Sequence, residues 1–318
     1  MGNPLRDFKH INAQTINEAT TILASGNAEA IAGGTDIVGT MKLYLLREYP
    51  ETVVNLKTIS PSLDYIKEEG GMLKIGALTR LEDIAKSNVV QSKWAGLAEA
   101  AHRTASPHIR EVGTIGGNIC QLNRCWYFRK KNNHYDCIRK GGNMCYAMAG
   151  ENRYHSIFGA VAACVAVNPS DTAPALVALN ATIKTSKRDI PAEEFWAVKI
   201  PGSTVLDTDE IVTEIQVPAF SGKSAFVKFA LRSSIDFPIV NCAAAIDGSN
   251  VRICLNAVYN LPYRATKAEE AISGKTIDEA SAEAAGTAAV SGAMPLAYNK
   301  WKVQIAKAMV KKCLLACK

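Results

Sequence analysis

Apolar and polar positions along the chain follow two periods. Residues 17–25 have helical spacing, and 29–32 form a short apolar stretch ending at Gly33-Gly34. Helical spacing resumes from Asp36 to Leu46. ETVVNL (51–56) reads as a buried strand and MLKIGAL (72–78) as another. Thr79 and Glu82 stand at capping-box spacing, predicting a helix after them. A second helix is predicted over 93–104. A Gly-rich stretch follows at 113–117, then a cysteine-rich segment, then PSDTAPALVALNA (169–181) and a strand at EIVTEIQV (210–217).

Pro218 and AFSGKS (219–224) carry neither period and mark a domain boundary, giving segments 1–218 and 222–318, the first divided near 57. Beyond it, SAFVKFALR, IVNCAAAID and VRICLNAVY predict three strands. The last two flank Gly248-Ser249-Asn250, a hairpin-turn sequence. The Ala-rich C-terminal stretch predicts helices, with Trp301, Ile305, Met309 and Leu315 near one face of the last. Mixed helices and strands, then strands plus helices, predict an α+β class.

At ~150 residues per domain, 318 residues allow two domains. With 48% hydrophobic and 21% charged residues, wholesale disorder is excluded. A net charge of +6 is too mild to argue for nucleic acid. The N-terminus has no apolar signal region, and Arg6 stands where a myristoylation pattern needs Ser or Thr. The longest apolar run, near 158–167, is far short of the ~20 residues that span a bilayer. These features predict a soluble, cytoplasmic protein with no membrane or nucleic-acid partner. Of nine cysteines, five lie between 120 and 164. In a long chain of this kind the cluster points to a metal or redox role rather than disulfides.

Two glycine-rich turns are candidate anion sites. In Ala32-Gly33-Gly34-Thr35-Asp36, missing β-carbons let backbone N–H groups converge ahead of a helix N-terminus, as a pyrophosphate needs. The same residues also suit a plain strand–helix turn. Gly113-Thr114-Ile115-Gly116-Gly117-Asn118 is a second such loop. Neither is a Rossmann fingerprint nor a Walker loop. Two loops in one chain favour a large, extended anionic ligand.

Cys120, Cys125, Cys137 and Cys145 alternate with Arg124, Arg129, Lys130, Lys131, Arg139 and Lys140, and His155 follows. No CxxC pair is present, so zinc-finger spacing fails. An iron–sulfur cluster needs only ligands that converge in space, and the cations would offset its negative charge. They could also face an acidic electron-transfer partner. Cys164, Cys242 and Cys254 read as small buried hydrophobes. The aromatic, basic segment at 126–135 is also compatible with nucleic-acid binding.

AGGTDIVGTMK (32–42), REVGTIGGN (110–118), PSDTAPAL (169–176), FVKFALR (226–232) and the tail at 294–315 occur in this order. Together they resemble the FAD-binding medium subunit of the molybdenum hydroxylases, the xanthine dehydrogenase and carbon monoxide dehydrogenase family. The resemblance implies a two-part FAD domain of the vanillyl-alcohol-oxidase (PCMH) type and a small α+β C-terminal domain. It implies FAD contacts from Ala30, Ile31, Ala32, Gly33, Gly34, Thr35, Asp36 and Ile37 at the pyrophosphate. Thr104, Ala105, Thr114, Gly117 and Asn118 would line the flavin and the second loop. Asp171, Val212 and Lys228 would complete the set. From the residues alone, Lys228 reads as a solvated strand-edge lysine.

The segment 120–160 is an insertion relative to most of that family. It resembles the flavoprotein subunit of 4-hydroxybenzoyl-CoA reductase, in which four cysteines hold a [4Fe-4S] cluster. Cys125, Cys137 and Cys145 match three of them. Tyr154 stands at the fourth position, so the adjacent His155 is the expected ligand, with Cys120 the alternative. The resemblance implies a redox relay without a catalytic residue of its own. Substrate chemistry would occur on a large molybdenum subunit bearing molybdopterin, joined by a small [2Fe-2S] subunit in a heterotrimer or its dimer. Ferredoxin, NAD or another redox carrier would be the outside partner, in anaerobic metabolism. A freestanding flavin oxidase and a zinc or nucleic-acid module are the competing readings.

Overall fold

The computed structural model describes residues 3–317; Met1, Gly2 and Lys318, at the outer ends of the two predicted segments, lie outside the described residues. The first unit comprises β1 (Lys9–Asn12), α1 (Ile16–Ala24), β2 (Ala28–Ile31), α2 (Ile37–Lys42) and β3 (Thr52–Asn55). Its parallel sheet has the order β1-β3-β2, so the central β3 buries Val53 and Val54. α2 stops at Lys42, short of the predicted Leu46, because Tyr44 turns into the left-handed region at φ 46°.

The second unit holds β4 (Ile66–Glu69), β5 (Met72–Gly76), α3 (Leu81–Lys86), α4 (Asn88–Lys93), α5 (Ala95–His102), α6 (Pro107–Arg110) and α7 (Ile115–Cys120). It continues with α8 (Tyr146–Ala149), α9 (Thr172–Ala178), β6 (Thr182–Thr185), β7 (Asp189–Pro191) and β8 (Val212–Val217). The antiparallel sheet runs β4-β5-β8-β6-β7. The predicted capping box does not form. Arg80 is the N-cap of α3, Thr79 Oγ1 exchanges hydrogen bonds with the Tyr65 backbone, and Glu82 pairs with buried Arg110. The helix predicted over 93–104 forms as α5, and Trp94, outside helical geometry (φ −123°, ψ 48°), separates it from α4. There Trp94 Nε1 donates to the Pro218 carbonyl, and a β-carbon on Gly96 would lie 3.1 Å from the Ala225 nitrogen. Close packing of helix on strand sets the break.

The third unit contains β9 (Lys223–Phe229), β10 (Val240–Asp247), β11 (Asn250–Asn256), β12 (Tyr263–Arg264), α10 (Thr266–Ile272), α11 (Glu279–Ala289) and α12 (Trp301–Ala316). Its antiparallel sheet is ordered β12-β11-β10-β9. β10 is buried on both faces. Val240, Cys242 and Ala244 pack into the core under α10–α12, while Ala243 and Ala245 join the core of the second unit with α5 and α9. The buried stripe of α12 is Lys302, Ala306, Met309, Val310, Cys313 and Leu314; of the predicted face Met309 is buried, Ile305 and Leu315 pack half-buried against the same core, and Trp301 is exposed. Among the described residues no helix is long and apolar enough to cross a membrane.

Candidate functional site

The two glycine turns meet. β2 delivers Ala30 and Ile31, and the chain turns through Ala32, Gly33, Gly34, Thr35 and Asp36 into α2 at Ile37. A β-carbon on Gly33 would lie 1.9 Å from the Val112 carbonyl oxygen, so only glycine allows the loops to touch. Gly34 has φ +72°. The second loop is tied to the sheet: Leu81 N donates to Gly113 O, Ile115 N to Thr79 O and Gly116 N to Ala77 O, each at 2.9 Å. Thr114 caps α7 by accepting from Gly117 N. Asn118 Oδ1 accepts from Ser170 Oγ at 2.6 Å and Thr172 Oγ1 at 2.7 Å, fixing the PSD segment beside this loop.

Thr104 ends the α5 turn, its hydroxyl donating to Ala100 O, and its carbonyl accepts from Arg110. Ala105 follows at φ 50° and accepts from Ile235 N, itself at φ 67°. Two non-glycine residues held in the left-handed region mark strain at the cradle's edge. Val212 lies buried at the start of β8.

Asp171 and Lys228 form a buried ion pair. Lys228 Nζ reaches Asp171 Oδ2 at 2.7 Å, with side chains 4% and 3% exposed, and also donates to Arg103 O. Asn241 Nδ2 donates to Asp171 Oδ1 at 2.7 Å. Burial raises the Asp171 pKa, while Lys228 and Asn241 oppose the rise. Lys228 is therefore no solvated edge lysine. The pair joins the strands of the third unit to the PSD segment of the second. Asp36 faces elsewhere: its carboxylate pairs with Arg124 at 2.9 Å and Arg129 at 2.8 Å and accepts from Leu122 N. It clamps the 120–160 segment to the first glycine turn.

In that segment, Cys125, Cys137 and Cys145 converge with Cys164 as walls of one pocket, along with Phe128, Arg139 and Tyr146. Cys164 is 3% exposed, as a small hydrophobe would be, yet it faces the other thiols. Consecutive left-handed residues aim it there: Ala162 at φ 46° and Ala163 at φ 60°, in a tight turn closed by reciprocal Val161–Cys164 backbone bonds. Backbone N–H groups point at the sulfurs, from Tyr127 and Phe128 to Cys125, from Arg139 to Cys137 and from Ala166 to Cys164. Such N–H···S contacts suit a thiolate-ligated cluster. Buried Arg139 and Lys140 stand beside the thiols. Burial pushes the Cys125 thiol up to about 12 and raises Cys137 and Cys164.

The space enclosed is about 10 Å³, room for one water. Among the described residues, no group of three or more His, Cys, Asp or Glu could hold a metal ion. Cys120 does not line the pocket; it packs against the apolar core of the second unit. His155 is outside the lining too, with Nε2 3.2 Å from Cys125 Sγ.

Sequence reasoning did not find the turn that aims Cys164, the Arg110–Glu82 pair, or Lys302. Lys302 is fully buried in α12, donating to the carbonyls of Tyr154, His155 and Ala257. A faint signal existed: Asn241 and Asn256 stand inside otherwise apolar strand sequences, where a polar residue needs a partner.

A glycine-loop cradle ahead of an antiparallel sheet, with a second α+β unit closing over it, defines a flavin-binding oxidoreductase subunit. Residues 6–220 match the family described as the FAD binding domain in molybdopterin dehydrogenase, and 225–317 match the CO dehydrogenase flavoprotein C-terminal domain. The chain is 32% identical over 293 residues to the aldehyde oxidoreductase FAD-binding subunit PaoB of Escherichia coli, covering 88% of each. It is 26% identical to the carbon monoxide dehydrogenase medium chain of Hydrogenophaga pseudoflava, covering 97% of this chain and 96% of that one. A solved carbon monoxide dehydrogenase from Hydrogenophaga pseudoflava, lacking the Mo-pyranopterin moiety, superposes with TM-score 0.77 at 26% identity, covering 99% of this chain and 98% of that chain. The chain belongs to the FAD-binding medium subunits of the molybdenum hydroxylase family.

Proposed function

We propose that this chain is the electron-relaying flavoprotein of a multi-subunit molybdenum-dependent dehydrogenase or reductase. Substrate chemistry belongs to a large molybdenum-cofactor subunit, and a small [2Fe-2S] subunit connects it to this chain. FAD, when bound, supplies the conversion between two-electron and one-electron chemistry. The turn from Ala30 to Ile37 and the loop with Thr114, Gly117 and Asn118 hold its phosphates. Thr104, Ala105 and Val212 line the flavin, and the Asp171–Lys228 pair secures the seam beside it.

Cys125, Cys137, Cys145 and Cys164 hold a [4Fe-4S] cluster, the group that lets electrons leave toward an outside carrier. The observation that carries this is four thiols from separate segments on one pocket, three of them receiving backbone N–H groups. The exposed Trp126 and Met144, next in sequence to Cys125 and Cys145, offer that carrier a docking point. A ferredoxin-type carrier fits a cluster exit better than NAD, which would exchange a hydride with the flavin.

The test is the iron, sulfide, zinc and FAD content of the anaerobically purified complex. About four irons beyond those of the [2Fe-2S] subunit, and one FAD, are expected per copy of this chain, with Cys137→Ser losing those four irons and keeping FAD. FAD with no iron beyond that of the [2Fe-2S] subunit would remove the cluster from the reading. Zinc without flavin would overturn it altogether.

A further inference from the structure

We infer that His155 acts on the cluster from outside, as a hydrogen-bond donor to the sulfur of Cys125 that sets the cluster's reduction potential. This rests on the four-thiol cluster proposed above. The His155 ring is 4% exposed, and its Nε2 lies 3.2 Å from Cys125 Sγ. The pocket is walled by four cysteines, and His155 is not among its lining residues. An iron-bound sulfur is a thiolate and can only accept, so Nε2 carries the hydrogen. Nδ1 is then bare, and it is indeed buried without a hydrogen-bond partner.

The ring's place is built rather than incidental. The His155 nitrogen donates to Asn152 O at 3.0 Å. Its carbonyl accepts from Lys302 Nζ at 3.0 Å and Asn299 Nδ2 at 3.2 Å, both from the C-terminal helical region. Trp126 and Tyr127 flank the imidazole, with ring centroids 6.5 and 6.4 Å away. Four side chains and a helix thus hold one N–H on one sulfur. A donor there spreads the cluster's negative charge and favours the reduced form, which raises the potential.

The experiment is a redox titration of the anaerobically purified complex, followed by the electron paramagnetic resonance of the reduced [4Fe-4S] cluster. It compares wild type, His155→Leu and His155→Gln. His155→Leu should keep iron and FAD at wild-type content while its oxidised-to-reduced equilibrium shifts about tenfold, a fall of about 59 mV for one electron. His155→Gln, which retains an N–H, should fall between the two. Wild type should show only the weak nitrogen hyperfine coupling of a hydrogen-bonded ring, lost in both variants. Strong coupling of an iron-bound nitrogen with iron loss in His155→Leu would make His155 a ligand and overturn the inference. So would full iron content with an unmoved potential. A wild-type complex with FAD but no iron beyond that of the [2Fe-2S] subunit would overturn the cluster itself, before any variant is made.

Discussion

Replacing Lys228 by Met isolates the charge on which the seam between the second and third units depends. The substitution keeps the length and apolar stem of the side chain and removes only the ammonium. Asp171 then remains 3% exposed with one amide donor, Asn241, in place of an ion pair. Breaking a buried pair by removing one partner costs about 3–5 kcal/mol. At about 2–4 °C per kcal/mol, the melting temperature should fall by on the order of 10 °C. Asp171 can escape part of this by taking up a proton. Without Lys228, burial holds its folded pKa above the unfolded value of about 3.9, so the folded state binds more protons as pH rises past that value. Stability of the variant therefore falls with rising pH, and its deficit is small near pH 4 and large at pH 8. The assay is urea unfolding of FAD-free protein at both pH values, which removes ligand linkage. Asp171→Asn combined with Lys228→Met should recover most of the loss, because a neutral amide leaves no uncompensated charge. A loss below about 1 kcal/mol, the range of a surface pair, or a double variant no better than the single one, would refute the reasoning.

Two further outcomes are expected. Gly33→Ala should abolish FAD retention, since its β-carbon meets the Val112 carbonyl at 1.9 Å, whereas Gly117→Ala meets only Thr114 Oγ1 at 3.1 Å and should keep much of its flavin; the flavin absorbance of the purified variants reads this out. Burial pulls the Lys302 pKa down to about 7, so at this group the folded state binds fewer protons than the unfolded one above pH 7, and the contribution of Lys302 to stability should rise toward pH 10. In Lys302→Met that rise should vanish, as checked by denaturant unfolding across the same range.

The individual elements were legible where one period ruled a stretch. The helix at 17–25, the strand at 51–56 and the three strands after residue 224 follow from spacing alone, because their burial is one-sided or complete. Errors fell where a tertiary contact overrode local preference. Glu82 abandons a cap for Arg110, since a buried guanidinium needs a carboxylate more than a helix end does. Along α12, Met309, Ile305 and Leu315 lie against the core as spacing predicted, while Trp301 is exposed and Lys302 is buried instead.

For the site, the order of five motifs pointed to the family, because glycine at a phosphate has few substitutes. Residue type carries that information without a fold. What only the tertiary structure decided is convergence. Cys164 reads as one more small apolar residue in AACVAVNP, and nothing local distinguishes it from Cys242 or Cys254. Two left-handed alanines turn it onto Cys125, Cys137 and Cys145, while Cys120 faces a core and His155 stops beside a sulfur. Lys228 and Lys302 look like surface lysines until Asp171 and three carbonyls are brought to them. Composition and spacing specify which chemistries a chain can perform. Which side chains share a pocket depends on long-range packing, where contacts between residues distant in sequence outweigh local preference.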